Sequence, residues 1–233
     1  MTPDFQRLHN DVMACTRCPR LVKYRSAVAQ KKKREFRNWK YWGRPVPPFG
    51  DRKASLVIVG LAPAAHGGNR TGRMFTGDGS ARFLISNLFD YGFANKPTSE
   101  HVNDGLEMKD TYLTAIVKCA PPQNKPTRKE IDNCRGFLSR EFALLTHAKV
   151  VLTLGRMAFD GYKSHIKRLG FDVKGLEFRH GACYHLGKAT PVIYCSYHPS
   201  RQNTQTRRLT TTLFSKVLAR IRCEVDSHNS SLR

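Results

Sequence analysis

Two groups of residues in this 233-residue chain have the types and spacing that chemistry needs. The first lies in residues 56–84, LVIVGLAPAAHGGNRTGRMFTGDGSARFL. Its apolar run Leu56, Val57, Ile58, Val59 predicts a strand buried on both faces and ended by Gly60. The loop beyond holds His66, Asn69, Arg70, Thr71, Arg73, Phe75, Thr76 and Asp78, more polar and aromatic function than a turn requires. A loop leaving the carboxyl end of a buried strand offers free backbone N–H groups, and its glycines let a ligand approach the main chain. Anions and base carbonyls suit such a site. The spacing is neither that of the G-x-x-x-x-G-K-[ST] phosphate loop nor that of G-x-G-x-x-G.

The second group is four cysteines: Cys15 and Cys18 as C-x2-C, then Cys119 and Cys134 far along the chain. By spacing alone they suit structural zinc and an iron-sulfur cluster equally. Cys183, Cys195 and Cys223 read as spare core thiols. Seven cysteines, an odd number, in a chain whose first residues show no signal-peptide pattern argue against a disulfide framework.

The elements that must position these groups follow from periodicity. Residues 4–30 have a helical pattern interrupted by CTRCP, with Pro19 opening the second helix. Residues 80–91 form a helix that Ser80 can cap, and Thr127 caps another over 128–146. Further buried strands are predicted at 112–118, 149–155 and 191–197, with helices at 156–167 and 209–222 and a hairpin in LEFRHGACYHL. Strands alternating with helices predict a parallel sheet covered on both faces, whose following loops all reach one rim. One domain over residues 1–223 results. Within it the basic, aromatic, proline-punctuated stretch 30–53 is expected to be a loose insertion, its Trp39, Tyr41 and Trp42 either stacking on bases or packing over the sheet edge. Residues 224–233 are expected to be a disordered tail.

Forty Lys and Arg against eighteen Asp and Glu give a formal charge of +22, which disfavours compaction without a polyanionic partner. Nucleic acid is the partner this implies. A membrane is not, because no apolar run is long enough to span one and the basic run from Lys31 to Arg37 has no apolar anchor. The expected location is the cytoplasm, with the chromosome; no protein partner is indicated.

GLAPAAHGGNRTGRMFTGD, VKCAPPQNKPT and SYHPSRQNTQT, with the four cysteines, closely resemble the motifs of the uracil-DNA glycosylase superfamily, in its iron-sulfur family 5 type. The match spans most of residues 12–215. It implies a three-layer α/β/α sandwich with a central four-stranded parallel sheet, and a [4Fe-4S] cluster of structural role on Cys15, Cys18, Cys119 and Cys134. It also implies DNA containing uracil or other deaminated bases as substrate, and hydrolysis of the N-glycosidic bond of a flipped-out base. Phe75 would then stack on that base, the amide of Asn124 would read its edge, and backbone N–H groups near Ala62 and Ala64 would bind the base where they assist His198. His198 would stabilise the leaving base through its carbonyl oxygen. His66 and Asn69 would partner Asp78 or contact the sugar-phosphate backbone, Arg70 would contact DNA, and Arg201 would enter the minor groove or hold a flanking phosphate.

The chain departs from related patterns twice. Ala115 stands where the sister family 4 has a base-reading Asn, which argues for a roomier pocket. Gly60-Leu61-Ala62-Pro63 has no side chain able to activate water, so Asp78 is the candidate for that role, with helix capping as its alternative. No buried lysine nucleophile is evident, which makes the expected enzyme monofunctional. The competing expectation is a noncatalytic iron-sulfur module that binds nucleic acid.

Overall fold

The computed structural model describes residues 3–187 and 189–230. In chain order its elements are α1 (Pro3–Met13), α2 (Pro19–Lys31), β1 (Phe49–Gly50), β2 (Leu56–Gly60), α3 (Gly68–Thr71), α4 (Gly79–Asp90), β3 (Thr111–Ala115), α5 (Arg128–Leu144) and β4 (Val150–Leu154). There follow α6 (Arg156–Arg168), β5 (Cys183–Tyr184), β6 (Val192–Ser196), α7 (Arg201–Gln205) and α8 (Thr211–Ser230).

The sheet has six strands in the order β1-β3-β2-β4-β6-β5. The central β3, β2, β4 and β6 are mutually parallel and correspond to the four strands expected from sequence. The four-stranded description is incomplete, because β1 and β5 add antiparallel edges of two residues each. Such short edges carry no alternation to read. The segment expected to be a hairpin turns at Arg179–Ala182 but is not paired as two strands of its own; its Cys183 and Tyr184 pair with Tyr194 and Ile193 of β6 instead.

Each central strand is buried along its whole length, and successive side chains feed opposite layers. Val57 and Val59 pack with Phe5, Leu8, Phe137, Leu138, Phe159 and Tyr162 from α1, α5 and α6. Leu56 and Ile58 pack with Leu84, Leu88, Phe214, Leu218 and Ile221 from α4 and α8. The result is a three-layer α/β/α sandwich. Strands are added on one side of β2 and then on the other, and this reversal is where open α/β sheets hold ligands.

Two local expectations fail for physical reasons. Residues 30–53 are not loose: Tyr41 and Val46 are buried, and the Val46 N–H donates to Lys118 O at 2.7 Å. Trp42 N–H and Gly43 N–H donate to Arg70 O and Asn69 O, so the stretch braces the first rim loop. The tail expected to be disordered from residue 224 continues α8 through Ser230, because Val225 is fully buried in the α4 and α8 core. Residues 231–233 of that tail lie outside the described residues. Among the described residues no helix is long and apolar enough to cross a membrane.

Candidate active site

The loops after β2, β3 and β6 enclose a cavity of about 540 Å³. Ala62, Ala64, Phe75, Asp78, Asn124, His198 and Arg201 all line it. All seven were expected from sequence to serve catalysis, base binding or DNA contact. Ala115 lines it too, at the end of β3, where a longer polar side chain would project into the space.

Phe75 is half-buried at a backbone φ of +46°, a conformation that needs support from its surroundings. The support is a polar brace that sequence alone did not reveal. Arg73, buried, donates to both carboxylate oxygens of Asp104 at 2.9 and 2.8 Å and to Thr76 Oγ1 and Ser99 Oγ. Ser99 Oγ in turn donates to Phe75 O at 3.0 Å. The Asp104 carboxyl is held well below the usual carboxylate range: burial opposes this, and the hydrogen bonds from Arg73 and backbone N–H groups overcome it. The Phe75 ring reaches the end of β2, where a Cβ on Gly60 would lie 2.7 Å from its Cζ.

Asp78 both caps a helix and lines the cavity. It is the N-cap of α4, its Oδ1 accepting from Ala81 N–H at 2.9 Å. A Cβ on Gly67 would lie 2.0 Å from Asp78 Oδ2, so the carboxylate is packed against the main chain of the rim loop. Burial raises its pKa, against the lowering effect of the backbone N–H groups it accepts from.

His198 follows β6. Its carbonyl accepts from Asn203 Nδ2 and Ser200 N–H, both at 2.8 Å, which fixes the main chain that carries the ring. Gly155 makes room for it: a Cβ there would lie 3.3 Å from His198 Cβ at a φ of +91°. Burial pushes the His198 pKa down to about 4, so near neutral pH the ring is an uncharged imidazole with one N–H to donate. Asn124 is exposed at the mouth, next to Gln123, with φ of +56° and +54°. Arg201 is exposed at the first residue of α7.

Three expected DNA contacts are not brought to this cavity. Asn69 is fully buried, its Nδ2 donating to Arg25 O and Ala65 O. Arg70 is 3% exposed, donates to His66 O and Gly77 O at 2.8 and 2.6 Å, and lies over the rings of Phe36 and Trp39 at 3.8 and 4.1 Å. Both residues hold the loop and are shielded from a DNA backbone. His66 pairs through Nδ1 with Tyr41 Oη at 3.0 Å. Among the described residues one lysine is buried, Lys118, but its Nζ is tied to Glu141 at 2.6 Å, Thr114 Oγ1 and Ala115 O. Lys118 is not among the residues facing the cavity.

The cysteines form a second locus. Cys15, Cys18, Cys119 and Cys134 line one small, apolar cavity with Leu21, Val117 and Phe137. The two halves meet because Arg20 at the start of α2 forks onto Glu130 at 2.8 and 2.7 Å. Glu130 also completes the capping box of α5 with Thr127. Nitrogen donors point at the sulfurs: Arg25 to Cys119 Sγ at 3.1 Å, Lys118 N–H to Cys134 Sγ at 3.3 Å and Asn133 to Cys18 Sγ at 3.5 Å. Among the described residues no three Cys, His, Asp or Glu side chains converge as ligands of a single ion.

A family model described as the uracil DNA glycosylase superfamily matches residues 47–222, about three quarters of the chain, and the chain belongs to that superfamily, in its type-5 group. It is 47% identical over 211 residues to a type-5 uracil-DNA glycosylase of Pyrobaculum aerophilum, covering 91% of this chain and 89% of that protein. Similarity to the Thermus thermophilus type-5 uracil-DNA glycosylase is 47% identity over 205 residues, covering 88% and 91%. The Mycobacterium tuberculosis type-5 uracil-DNA glycosylase is 42% identical over 208 residues, covering 88% and 76%.

Proposed function

We propose that this protein is a monofunctional DNA glycosylase that hydrolyses the N-glycosidic bond of uracil, and of other deaminated bases, and leaves an abasic site. The observation that carries this is one cavity, roomy enough for a nucleotide, lined by Phe75, Asn124, His198 and Asp78, in a chain closely similar to proteins named type-5 uracil-DNA glycosylases. The target nucleotide leaves the stack, and its base enters against the face of Phe75. Asn124 can donate to and accept from the base edge. Ala115 in place of a larger polar residue leaves room for bases other than uracil.

Bond cleavage sends the glycosidic electron pair to the base and leaves positive charge on the sugar. His198, neutral at working pH, donates its N–H to the base carbonyl oxygen where negative charge develops. The Asp78 carboxylate faces the positive side, orienting a water whose oxygen bonds to the anomeric carbon and stabilising the charge there. The water's proton passes to the carboxylate or to solvent. Arg201, at the mouth, holds a flanking phosphate.

Cys15, Cys18, Cys119 and Cys134 are the ligands this reading assigns to a [4Fe-4S] cluster. In its favour are four thiols around one cavity and nitrogen donors directed at their sulfurs. Such a cluster would hold the start of α2, residue Cys119 and α5 together. The protein works where the chromosome is, in the cytoplasm.

The test is incubation with a uracil-containing oligonucleotide followed by alkali. Strand scission at the uracil supports the proposal. Binding without scission would leave a noncatalytic module.

A further inference from the structure

A second cavity, of about 630 Å³, opens on the other side of His198. His198 and Leu61 line both cavities, so the imidazole is part of the partition between them. Three exposed arginines line the second one: Arg156 from the first turn of α6, Arg179 from the loop before β5, and Arg208 after α7. Among the described residues no acidic side chain lines it. Among the described residues none of the three makes an ion pair.

Two of the three heads rest on aromatic faces. The Arg208 guanidinium lies 4.5 Å from the centroid of Tyr197, and that of Arg156 lies 5.7 Å from the centroid of Phe178. Tyr197 is itself stacked on His180, with centroids 5.0 Å apart and planes 12° apart. A guanidinium resting on a ring keeps its N–H edge free, and that edge matches the oxygens of a phosphate bidentately. Three uncompensated cations in one cavity raise the energy of the free protein, and a polyanion removes that cost.

We propose that this cavity is a backbone-binding site for the DNA strand on one side of the extruded nucleotide, with Arg156, Arg179 and Arg208 each taking a phosphate. This rests on the reading of the neighbouring cavity as the base pocket. His198 then stands where the strand turns from the arginine-lined channel into that pocket.

The experiment measures binding of the full chain to a duplex carrying a non-hydrolysable abasic analogue, across a salt series. The variants are R156Q/R179Q/R208Q and, as a control at the far end of α6, K167Q/R168Q. Each phosphate contact contributes a salt slope of about 0.9. The triple variant should therefore lose roughly two to three units of slope and the control essentially none, with each single variant losing about one. Neutral methylphosphonates on one flank of the lesion should weaken the wild type but not the triple variant; on the other flank they should affect both alike. An unchanged slope in the triple variant, an equal loss in the control, or equal sensitivity of both proteins on both flanks would overturn the proposal. Salt slopes are read without catalysis, so a wild type that retains them yet excises no uracil contradicts the base-pocket reading and not this one.

Discussion

The Phe75 ring lies so close to the end of β2 that a methyl group on Gly60 would be 2.7 Å from its Cζ. No unusual backbone angle is involved, so the glycine is there to let the ring approach. Gly60→Ala should displace the ring from the base position. Uracil excision is expected to fall roughly tenfold or more, at a stability cost of about 1–3 kcal/mol from overpacking. Excision kinetics with a thermal melt check this; unchanged kinetics would mean Phe75 does not stack on the base.

Asp78 caps α4 and faces the cavity, and the two roles separate in two variants. Asp78→Asn keeps a capping oxygen and removes the charge, so it should melt near the wild-type temperature and lose most single-turnover excision. Asp78→Ala should lose the cap as well, at about 1 kcal/mol. A well-folded, fully active Asp78→Asn protein would pass water positioning to the backbone or to a residue outside this assignment.

Acid should act through His198. Its pKa is pushed down to about 4 in the fold, against about 6.5 in the unfolded chain. Between these values the unfolded chain binds more protons, so the native state loses stability as pH falls from about 6.5 toward about 4, and His198 contributes no pH dependence above that window. The drop in melting temperature between pH 7 and pH 4.5 should shrink in His198→Ala. An equal drop in both proteins would assign the acid sensitivity elsewhere.

Arg70 is expected to stabilise the fold without touching DNA. Removing a buried guanidinium bonded to His66 O and Gly77 O and enclosed by Phe36 and Trp39 should cost about 2–4 kcal/mol. The salt slope of DNA binding by the folded fraction should not change. Denaturant unfolding and binding titrations separate the two effects.

The cysteine cavity predicts brown protein with about four irons per chain, and Cys119→Ser should lose iron and stability together. Arg25→Gln, which removes the nitrogen donor 3.1 Å from Cys119 Sγ, should retain iron yet change the cluster's reduction potential. Colourless zinc-loaded protein from anaerobic purification would contradict the cluster.

Four apolar runs fixed by period and length were enough to place the parallel strands, and a parallel sheet necessarily sends His198, Asn124 and the Phe75 loop to one rim. What sequence could not show is whether a polar side chain faces solvent or the interior. Arg70 and Arg201 look alike in a motif, but one is sealed by Phe36 and Trp39 from a stretch thirty residues earlier and the other is exposed. The Arg73–Asp104 brace and the Arg156, Arg179 and Arg208 cavity likewise join residues far apart in the chain. The edge strands β1 and β5 and the helices α3 and α7 are too short for any period to register.

Stabilisation of the departing base by His198 can be read from single-turnover excision of uracil by His198→Ala. Loss of one such donor predicts a rate lower by roughly 10²- to 10³-fold, with DNA affinity and fold retained. A folded, DNA-binding His198→Ala protein that excises uracil within about twofold of the wild-type rate would contradict it.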